Sequence, residues 1–109
     1  MNARSKRLAP LFSLLGEPNR LSILLSLGLE CRPVSAVVAA TGLSQTNVSF
    51  HLRALREAGL VKAEKNGSFV FYCLPDPTLL DVVSALENWL DRRSAIKLPR
   101  SQPAATRAR

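Results

Sequence analysis

The most constraining feature of the sequence is a short break between two helical segments in the middle of the chain. Residues 33–41 form one segment, which begins at Pro33 and ends at Gly42, a residue suited to a left-handed C-terminal cap. Ser44 then supplies an N-cap for a second helix that runs to Ala58. Two helices separated by three or four residues that include a glycine are typical of a helix-turn-helix, although a simple helical hairpin has the same pattern.

The segment after these two helices favours the helix-turn-helix. Residues 60–64 and 68–74 are rich in Val, Phe and Tyr, and Lys65-Asn66-Gly67 stands between them. An Asn-Gly pair is a strong signal for a tight β-hairpin, because both residues accept positive φ angles. A hairpin in this position is the wing of a winged helix-turn-helix.

Apolar spacing predicts three further helices. The first covers 7–15, the second covers 18–29 with an apolar surface around more than half its circumference, and the last covers 77–93 and is capped by Asp76. The predicted fold is therefore mainly α with a β-hairpin wing, in the order α-α-α-α-β-β-α. We expect three parts: a basic N-terminal tail over 1–7, a winged helix-turn-helix domain for DNA binding and dimerisation over 8–93, and a basic, disordered C-terminal tail over 94–109.

The net charge of +7 lies at the two ends of the chain. Residues 8–96 carry equal numbers of basic and acidic side chains, so a basic surface in this part requires clustering. Arg53, Arg56, Lys62 and Lys65 form such a cluster in the sequence. Because a basic protein attracts polyanions and gains binding free energy by releasing their counterions, we expect a nucleic-acid partner.

The second helix of the pair, 45–58, has the two faces expected of a recognition helix. The apolar arc that must face the core consists of Val48, Leu52 and Leu55, with His51 and Ala58 beside it. The expected DNA contacts come from the outward face, from its amino end and from the wing: Ser44, Gln45, Thr46, Ser49, Phe50, His51, Arg53, Lys62 and Lys65. Gln45 and Arg53 can form bidentate hydrogen bonds with adenine and guanine respectively.

Several of these residues have alternative interpretations. Phe50 either contacts a thymine methyl group or is an isolated apolar surface residue. His51, the only histidine, is either a hydrogen-bonded structural group or faces a phosphate, and one histidine cannot build a multi-histidine metal site. Lys62 and Lys65 either contact DNA or are simply solvated. No catalytic arrangement is visible in the sequence, so we expect no enzyme activity.

Two sequence strings closely resemble the ArsR/SmtB family of bacterial repressors. They are LGEPNRLSIL at 15–24 and a string over 42–61 that begins GLSQTNVSFHL, and the wing residues fit as well. The resemblance spans about residues 8–92 and implies a homodimer that represses an operon until an effector weakens its binding to an inverted repeat in double-stranded DNA. The dimer would form through the first and last helices, at Leu8, Leu11, Phe12, Leu79, Val83, Leu86, Trp89 and Leu90. The apolar stripe of 79–90 independently requires a partner.

The effector does not follow from the resemblance. Where members that sense soft metals have a Cys-x-Cys pair, this chain has Pro33-Val34-Ser35, and the last helix lacks the histidines of members that sense zinc, nickel or cobalt. Cys31 and Cys73 remain, and analogy with other winged helices makes them neighbours. Three interpretations stay open: binding of trivalent arsenic or antimony, a regulatory disulfide or polysulfide bridge, or two small buried hydrophobic residues.

Two further expectations concern the class of the protein and its location. Winged helices also serve as protein-interaction modules without contacting nucleic acid, and this alternative stays open. The apolar stretch near the N-terminus is short, is broken by Pro10 and Ser13, and lacks a cleavage site, so it is not a secretory signal. We expect a cytoplasmic protein with no membrane partner, whose cysteines rest as thiols and whose folding requires no cofactor.

Overall fold

The computed structural model describes residues 2–99 and confirms the predicted winged helix-turn-helix. Its elements follow one another as α1 (Ala3–Leu15), α2 (Pro18–Leu27), β1 (Arg32–Pro33), α3 (Val34–Thr41), α4 (Gln45–Glu57), β2 (Lys62–Asn66), β3 (Phe69–Cys73) and α5 (Thr78–Asp91). The chain divides into two compact units, of which the first ends at Pro75 and the second begins at Asp76.

The first helix begins earlier than the apolar pattern indicated. α1 starts at Ala3, so most of the expected N-terminal tail is helical. The side chain of Asn2 stabilises this start, because its Oδ1 accepts a hydrogen bond from the backbone N–H of Arg4 at 2.7 Å and so satisfies a free donor of the first turn. Apolar spacing missed this turn because the turn contains charged side chains and no buried residue.

α2 is covered over most of its circumference, as expected, because only Ser22 and Leu25 are exposed within Pro18–Leu27. Its buried residues are Ile23, Leu24 and Leu27. Leu25 is exposed, and Leu29, which was predicted to lie in the helix, is 82% exposed beyond its end. The helix stops because Gly28 adopts φ 59° and ψ −139°, a conformation open to glycine and outside the helical region.

The two helices of the helix-turn-helix, α3 and α4, have the predicted caps. Gly42 ends α3 in the left-handed conformation, with φ 75°, and its N–H donates to the carbonyl of Val38 at 2.8 Å. Ser44 begins α4, and its Oγ accepts a hydrogen bond from the N–H of Asn47 at 3.1 Å. The turn between the helices is therefore fixed at both ends by hydrogen bonds.

The turn of the wing lies one residue later than predicted. Asn66 pairs with Phe69, so the two-residue turn consists of Gly67 and Ser68 rather than Asn66 and Gly67. Gly67 has φ 65°, and glycine at the first central position is typical of a type II′ turn, which matches the twist of paired strands. Asn66 stays in β2 because this turn needs only one residue with positive φ.

A short strand that the sequence pattern did not predict joins the wing to the helix-turn-helix. β1 is antiparallel to β3, with Arg32 opposite Tyr72 and Pro33 opposite Phe71, and the sheet has the order β1-β3-β2. Proline is tolerated here because β1 is an edge strand. β1 leads directly into α3, so α3 begins at Val34 and the preceding proline is its N-cap.

One core joins α2, α3, α4 and the start of the wing. Its buried apolar side chains are Ile23, Leu24, Leu27, Val37, Val48, Leu52, Leu55, Val61 and Cys73. Burial of a Val, Leu or Ile side chain contributes about 1.5–3 kcal/mol to folding. The core therefore fixes α4 against α2 and α3.

The second unit contains α5. Asp76 was expected to cap a helix that starts at Pro77, but α5 begins at Thr78 with Pro77 as its N-cap. Oδ1 of Asp76 accepts hydrogen bonds from the hydroxyl and the N–H of Thr78, at 2.6 and 3.0 Å. These bonds hold the pKa of Asp76 below its ordinary value. α5 ends at Asp91, and the expected tail beyond residue 99 lies outside the described residues. Neither α5 nor another helix within 2–99 has the length and apolar content needed to cross a membrane.

Candidate nucleic-acid interface and cysteine pair

α4 exposes a polar face on the side opposite its buried apolar arc. The predicted inner arc of Val48, Leu52 and Leu55 is buried, which fixes the rotation of the helix about its axis. The predicted contact residues exposed in its first turns are Gln45, Thr46 and Ser49. Because the inner arc is anchored, these polar side chains point away from the core, as in a recognition helix.

Phe50 projects from the same helix and is 65% exposed. Its ring meets the ring of His51 edge-on, with centroids 5.2 Å apart and an interplanar angle of 74°. A shallow cleft of about 290 Å³ is lined by Phe50, Arg53, Ala54 and Glu57. The exposed part of the ring is therefore available to an apolar group such as a base methyl.

His51 is buried, with 8% of the residue exposed, which corrects the expectation that it contacts DNA and leaves the structural role. Its Nε2 lies 3.8 Å from Oε1 of Glu17, the residue that caps α2. Burial holds the pKa of His51 below its ordinary value of 6.5, while Glu17 acts against this shift and Arg20 adds to it. His51 therefore lies where α4 meets the start of α2.

Two other side chains that were predicted to contact DNA, those of Arg53 and Ser44, already form hydrogen bonds within the chain. Nε of Arg53 donates to Oε2 of Glu57 at 3.2 Å, and both side chains are exposed. An exposed pair at this helical spacing contributes only about 0.3–0.5 kcal/mol, so the guanidinium can exchange it for another acceptor. The hydroxyl oxygen of Ser44 accepts the N-cap hydrogen bond of α4 and is less available.

The two lysines of the wing are both exposed. Nζ of Lys62 lies 3.6 Å from Oε2 of Glu64. Lys65 lies two residues before Gly67, close to the turn at the tip of the hairpin. Both positive charges can therefore reach a polyanion once Lys62 leaves Glu64.

Cys31 and Cys73 are joined by a disulfide bond, which confirms that they are neighbours and corrects the expectation that they rest as thiols. The antiparallel strand register explains the contact, because Cys31 precedes Arg32 and Cys73 follows its partner Tyr72, which places the two cysteines opposite each other. Their Cα atoms are 4.3 Å apart, close to the ~4.5 Å of a non-hydrogen-bonded antiparallel pair. Cys73 is buried but Cys31 is exposed, so the interpretation as two buried hydrophobic residues fits only one of them.

Glu64 lies beside the disulfide. Its Oε1 is 3.7 Å from Sγ of Cys31 and 3.4 Å from Sγ of Cys73. The sulfur and carboxylate ligand atoms of the three residues all lie within 4.8 Å of one another. A cleft of about 440 Å³ opens here, lined by Cys31, Glu64, Lys65, Asn66 and Phe71. No sequence pattern indicates Glu64, because only the strand register brings it to the cysteines.

The predicted dimer-interface residues lie on α1 and α5. The exposed members are Leu8, Phe12, Leu86, Trp89 and Leu90, and the half-buried ones are Leu11, Leu79 and Val83. α5 contains no buried residue, and the guanidinium of Arg93 lies over the ring of Trp89 at 4.7 Å. The role of these residues in a dimer stays a prediction.

Comparison with known proteins establishes the family. A family model for a helix-turn-helix domain matches residues 15–64. The chain is 32% identical over 85 residues to the uncharacterized HTH-type transcriptional regulator MJ1325 of Methanocaldococcus jannaschii, an alignment that covers 75% of this chain and 93% of the relative. It is 33% identical over 79 residues to a transcriptional repressor SmtB homolog of Synechocystis, across 72% of this chain and 60% of the relative. The chain belongs to the ArsR/SmtB family.

A solved structure supports the ArsR/SmtB assignment. It is the homodimeric winged helix-turn-helix DNA-binding domain of Mb0332 from Mycobacterium bovis, described as "a possible ArsR-family transcriptional regulator". The TM-score is 0.66 at 27% identity, across 89% of this chain and 97% of that chain. The relatives are named as transcriptional regulators, and none of these names indicates an enzyme.

Proposed function

We propose that this ArsR/SmtB chain is a homodimeric repressor that binds an inverted-repeat operator and is released by an effector acting on Cys31 and Cys73. The observation that carries the proposal is the construction of α4, whose inner arc is buried while its polar residues face outward. A recognition helix places such residues against base edges in the major groove. The expected cytoplasmic location is part of the same proposal.

The proposed DNA contacts are of three chemical kinds: hydrogen bonds to bases from two side chains, one apolar contact, and a remaining set of polar contacts. Gln45 can pair with adenine and Arg53 with guanine, once the guanidinium exchanges Glu57 for the base. Phe50 offers an apolar surface to a thymine methyl. The remaining proposed contacts, with phosphates, bases or the neighbouring minor groove, are Ser44, Thr46, Ser49, Lys62 and Lys65.

A homodimer would cover the apolar row of α5. Leu86 and Trp89 are 50% and 46% exposed, and such a row in a helix with no buried residue marks an interaction surface. The partner is then a second copy, joined through the exposed apolar residues of α1 and α5. Twofold symmetry of the protein would correspond to an inverted repeat in the operator.

The disulfide supports a thiol-redox switch. The bond connects the end of β3 in the wing to the chain entering β1, and β1 runs directly into α3. Oxidation by a peroxide would balance as follows: the two thiols lose two electrons and two protons to form the S–S bond, and the O–O bond breaks to give an alcohol and water. Changing this connection changes how the wing is held against the helix-turn-helix.

Trivalent arsenic or antimony is a second candidate effector. The observation in its favour is that the strand register sets the two sulfurs side by side, and these ions prefer thiolate ligands. The metalloid would require the reduced pair, so its effect must disappear when the disulfide is formed.

Fluorescence anisotropy of duplex DNA from the region upstream of the chain's own gene tests DNA binding. We expect binding that weakens steeply with salt, because phosphate contacts release counterions. Gln45→Ala and Arg53→Ala should each cost about 1–3 kcal/mol and relax base preference, whereas Lys65→Ala should mainly lower the salt slope, by about one. Glu87→Gln, an exposed change on α5, is the matched control and should bind normally.

Two results would contradict this proposal. If the wild-type chain ignores duplex DNA at low ionic strength, the chain is an interaction module rather than a repressor. Equal affinity of Gln45→Ala, Arg53→Ala and Glu87→Gln would remove α4 from the interface.

The switch is tested by measuring operator affinity of the reduced chain, the oxidised chain and the reduced chain with arsenite. We expect the oxidised chain to bind more weakly, as release by an effector requires. Cys31→Ser and Cys73→Ser should abolish the response and keep the affinity of the reduced form. If both variants still release DNA on oxidation and with arsenite, the cysteines are not the sensor.

A further inference from the structure

Cys31, Cys73 and Glu64 together have the donors and the spacing of a metal site. We infer that the reduced chain binds one Zn²⁺ ion through the two thiolates and the Glu64 carboxylate, and that formation of the disulfide expels the ion. This inference rests on the proposed function only in requiring that the cysteine pair can be reduced.

The distances at Glu64 suit tetrahedral zinc. With Zn–S bonds of about 2.3 Å and Zn–O bonds of about 2.0–2.2 Å, a tetrahedral angle separates sulfur from oxygen by roughly 3.5 Å. The two sulfur–oxygen distances in the structure are 3.4 and 3.7 Å. Reduction must let the sulfurs separate to about 3.8 Å for the same geometry. Cys31 has room for this movement because it is exposed and precedes the edge strand β1.

The chemistry of the donors favours Zn²⁺ over a metalloid. Zinc accepts thiolates and a carboxylate oxygen in one site, whereas trivalent arsenic prefers sulfur alone. Two thiolates and one carboxylate around Zn²⁺ leave one excess negative charge. Nζ of Lys62, 3.6 Å from the other carboxylate oxygen, offsets it. The adjoining cleft gives space for water as a fourth ligand.

Metal binding and the disulfide exclude each other because both use the same sulfur atoms. When a peroxide oxidises the zinc-bound pair, the two thiolates lose two electrons and form the S–S bond. The O–O bond breaks, its oxygens take two protons from solvent to give an alcohol and water, and Zn²⁺ leaves. The site therefore connects β3 and the chain entering β1 in both states, through an ion in one and a covalent bond in the other.

Metal titration of the phosphine-reduced full chain tests the inference without DNA. With Co²⁺ as the probe we expect one equivalent to give a thiolate charge-transfer band and tetrahedral visible bands, and Zn²⁺ to displace it. Glu64→Gln should weaken Zn²⁺ binding, measured against a chromophoric chelator, by at least about tenfold. Cys31→Ser, at an exposed position, should reduce the charge-transfer band to about half or less, because one of the two thiolates is lost, and Glu87→Gln should match the wild type. Peroxide should release one equivalent of Zn²⁺ from the wild type.

Three outcomes would overturn the inference: no metal binding by the reduced chain, wild-type affinity in Glu64→Gln, or an undiminished charge-transfer band in Cys31→Ser. The proposed repressor function fails separately. Operator binding and its redox response, measured in excess chelator, can persist when no zinc binds, and zinc can bind when duplex DNA does not.

Discussion

α4 and α5 are helices of similar length, 13 and 14 residues, but the more polar of the two has the buried residues. α4 is the more polar helix, yet it buries Val48, Leu52 and Leu55, and even a histidine. α5 carries a broad apolar row and buries none of its residues. Burial thus follows from what a helix packs against, and composition alone does not determine it.

The difference indicates how each helix is stabilised. The inner arc of α4 packs into the core of its own unit, and this packing fixes the position of the polar face of the helix. The apolar row of α5 is only partly covered in the single chain, which is consistent with the proposed dimer contact. On the proposed function, α4 supplies recognition and α5 supplies the dimer.

The largest effect should come from the core of α4. Leu55→Ala removes a fully buried side chain and should lower the free energy of unfolding by about 2–5 kcal/mol, measured in urea. Leu29→Ala makes the same chemical change at a highly exposed position and should cost less than about 0.5 kcal/mol. Equal stabilities of the two variants would show that α4 is not anchored as described.

The next effect concerns α5. Trp89→Ala should weaken self-association by about 2 kcal/mol, roughly thirtyfold in the dissociation constant, because large aromatic residues dominate interfaces. Sedimentation at several concentrations measures the change. Leu98→Ala, at an exposed position beyond the helix, is the control and should associate normally. A wild-type chain that stays monomeric would contradict the proposed role of α5.

A smaller effect on stability is expected from removing the side-chain cap at the start of α4. Ser44→Ala removes the side-chain cap of α4 and should cost about 1 kcal/mol of unfolding free energy. Ser84→Ala, within the exposed surface of α5, should be neutral or slightly stabilising because alanine favours the helix interior. The prediction is wrong if thermal and urea unfolding place both variants at the same stability.

The smallest expected effect is a pH dependence of the unfolding free energy that arises from His51 on α4. His51 has a pKa in the folded chain below its ordinary 6.5, so the unfolded chain binds its proton more readily. Stability contributed by the neutral imidazole is present above pH 6.5 and is lost as the pH falls through the lowered pKa. His51→Gln should flatten the pH dependence of the unfolding free energy as the pH falls below 6.5. The same slope in wild type and variant would exclude His51 as its source.

Much of the fold was predictable because its signals are local. The caps at Gly42 and Ser44 and the inner arc of α4 follow from backbone preference and helical period, which adjacent residues determine. Errors arose where a boundary depended on longer-range context, as at Leu29, or on a choice between turn types, as at Asn66.

The order of the helices and of the wing hairpin, the family resemblance and the two cysteines worth comparing could all be obtained from the sequence alone. Only the tertiary structure decided that Cys31 lies opposite Cys73, that Glu64 adjoins both sulfurs, and that His51 points inward to Glu17. The physical reason is that these contacts join residues far apart in the chain. Their distances are set by strand register and helix packing, which no local periodicity encodes.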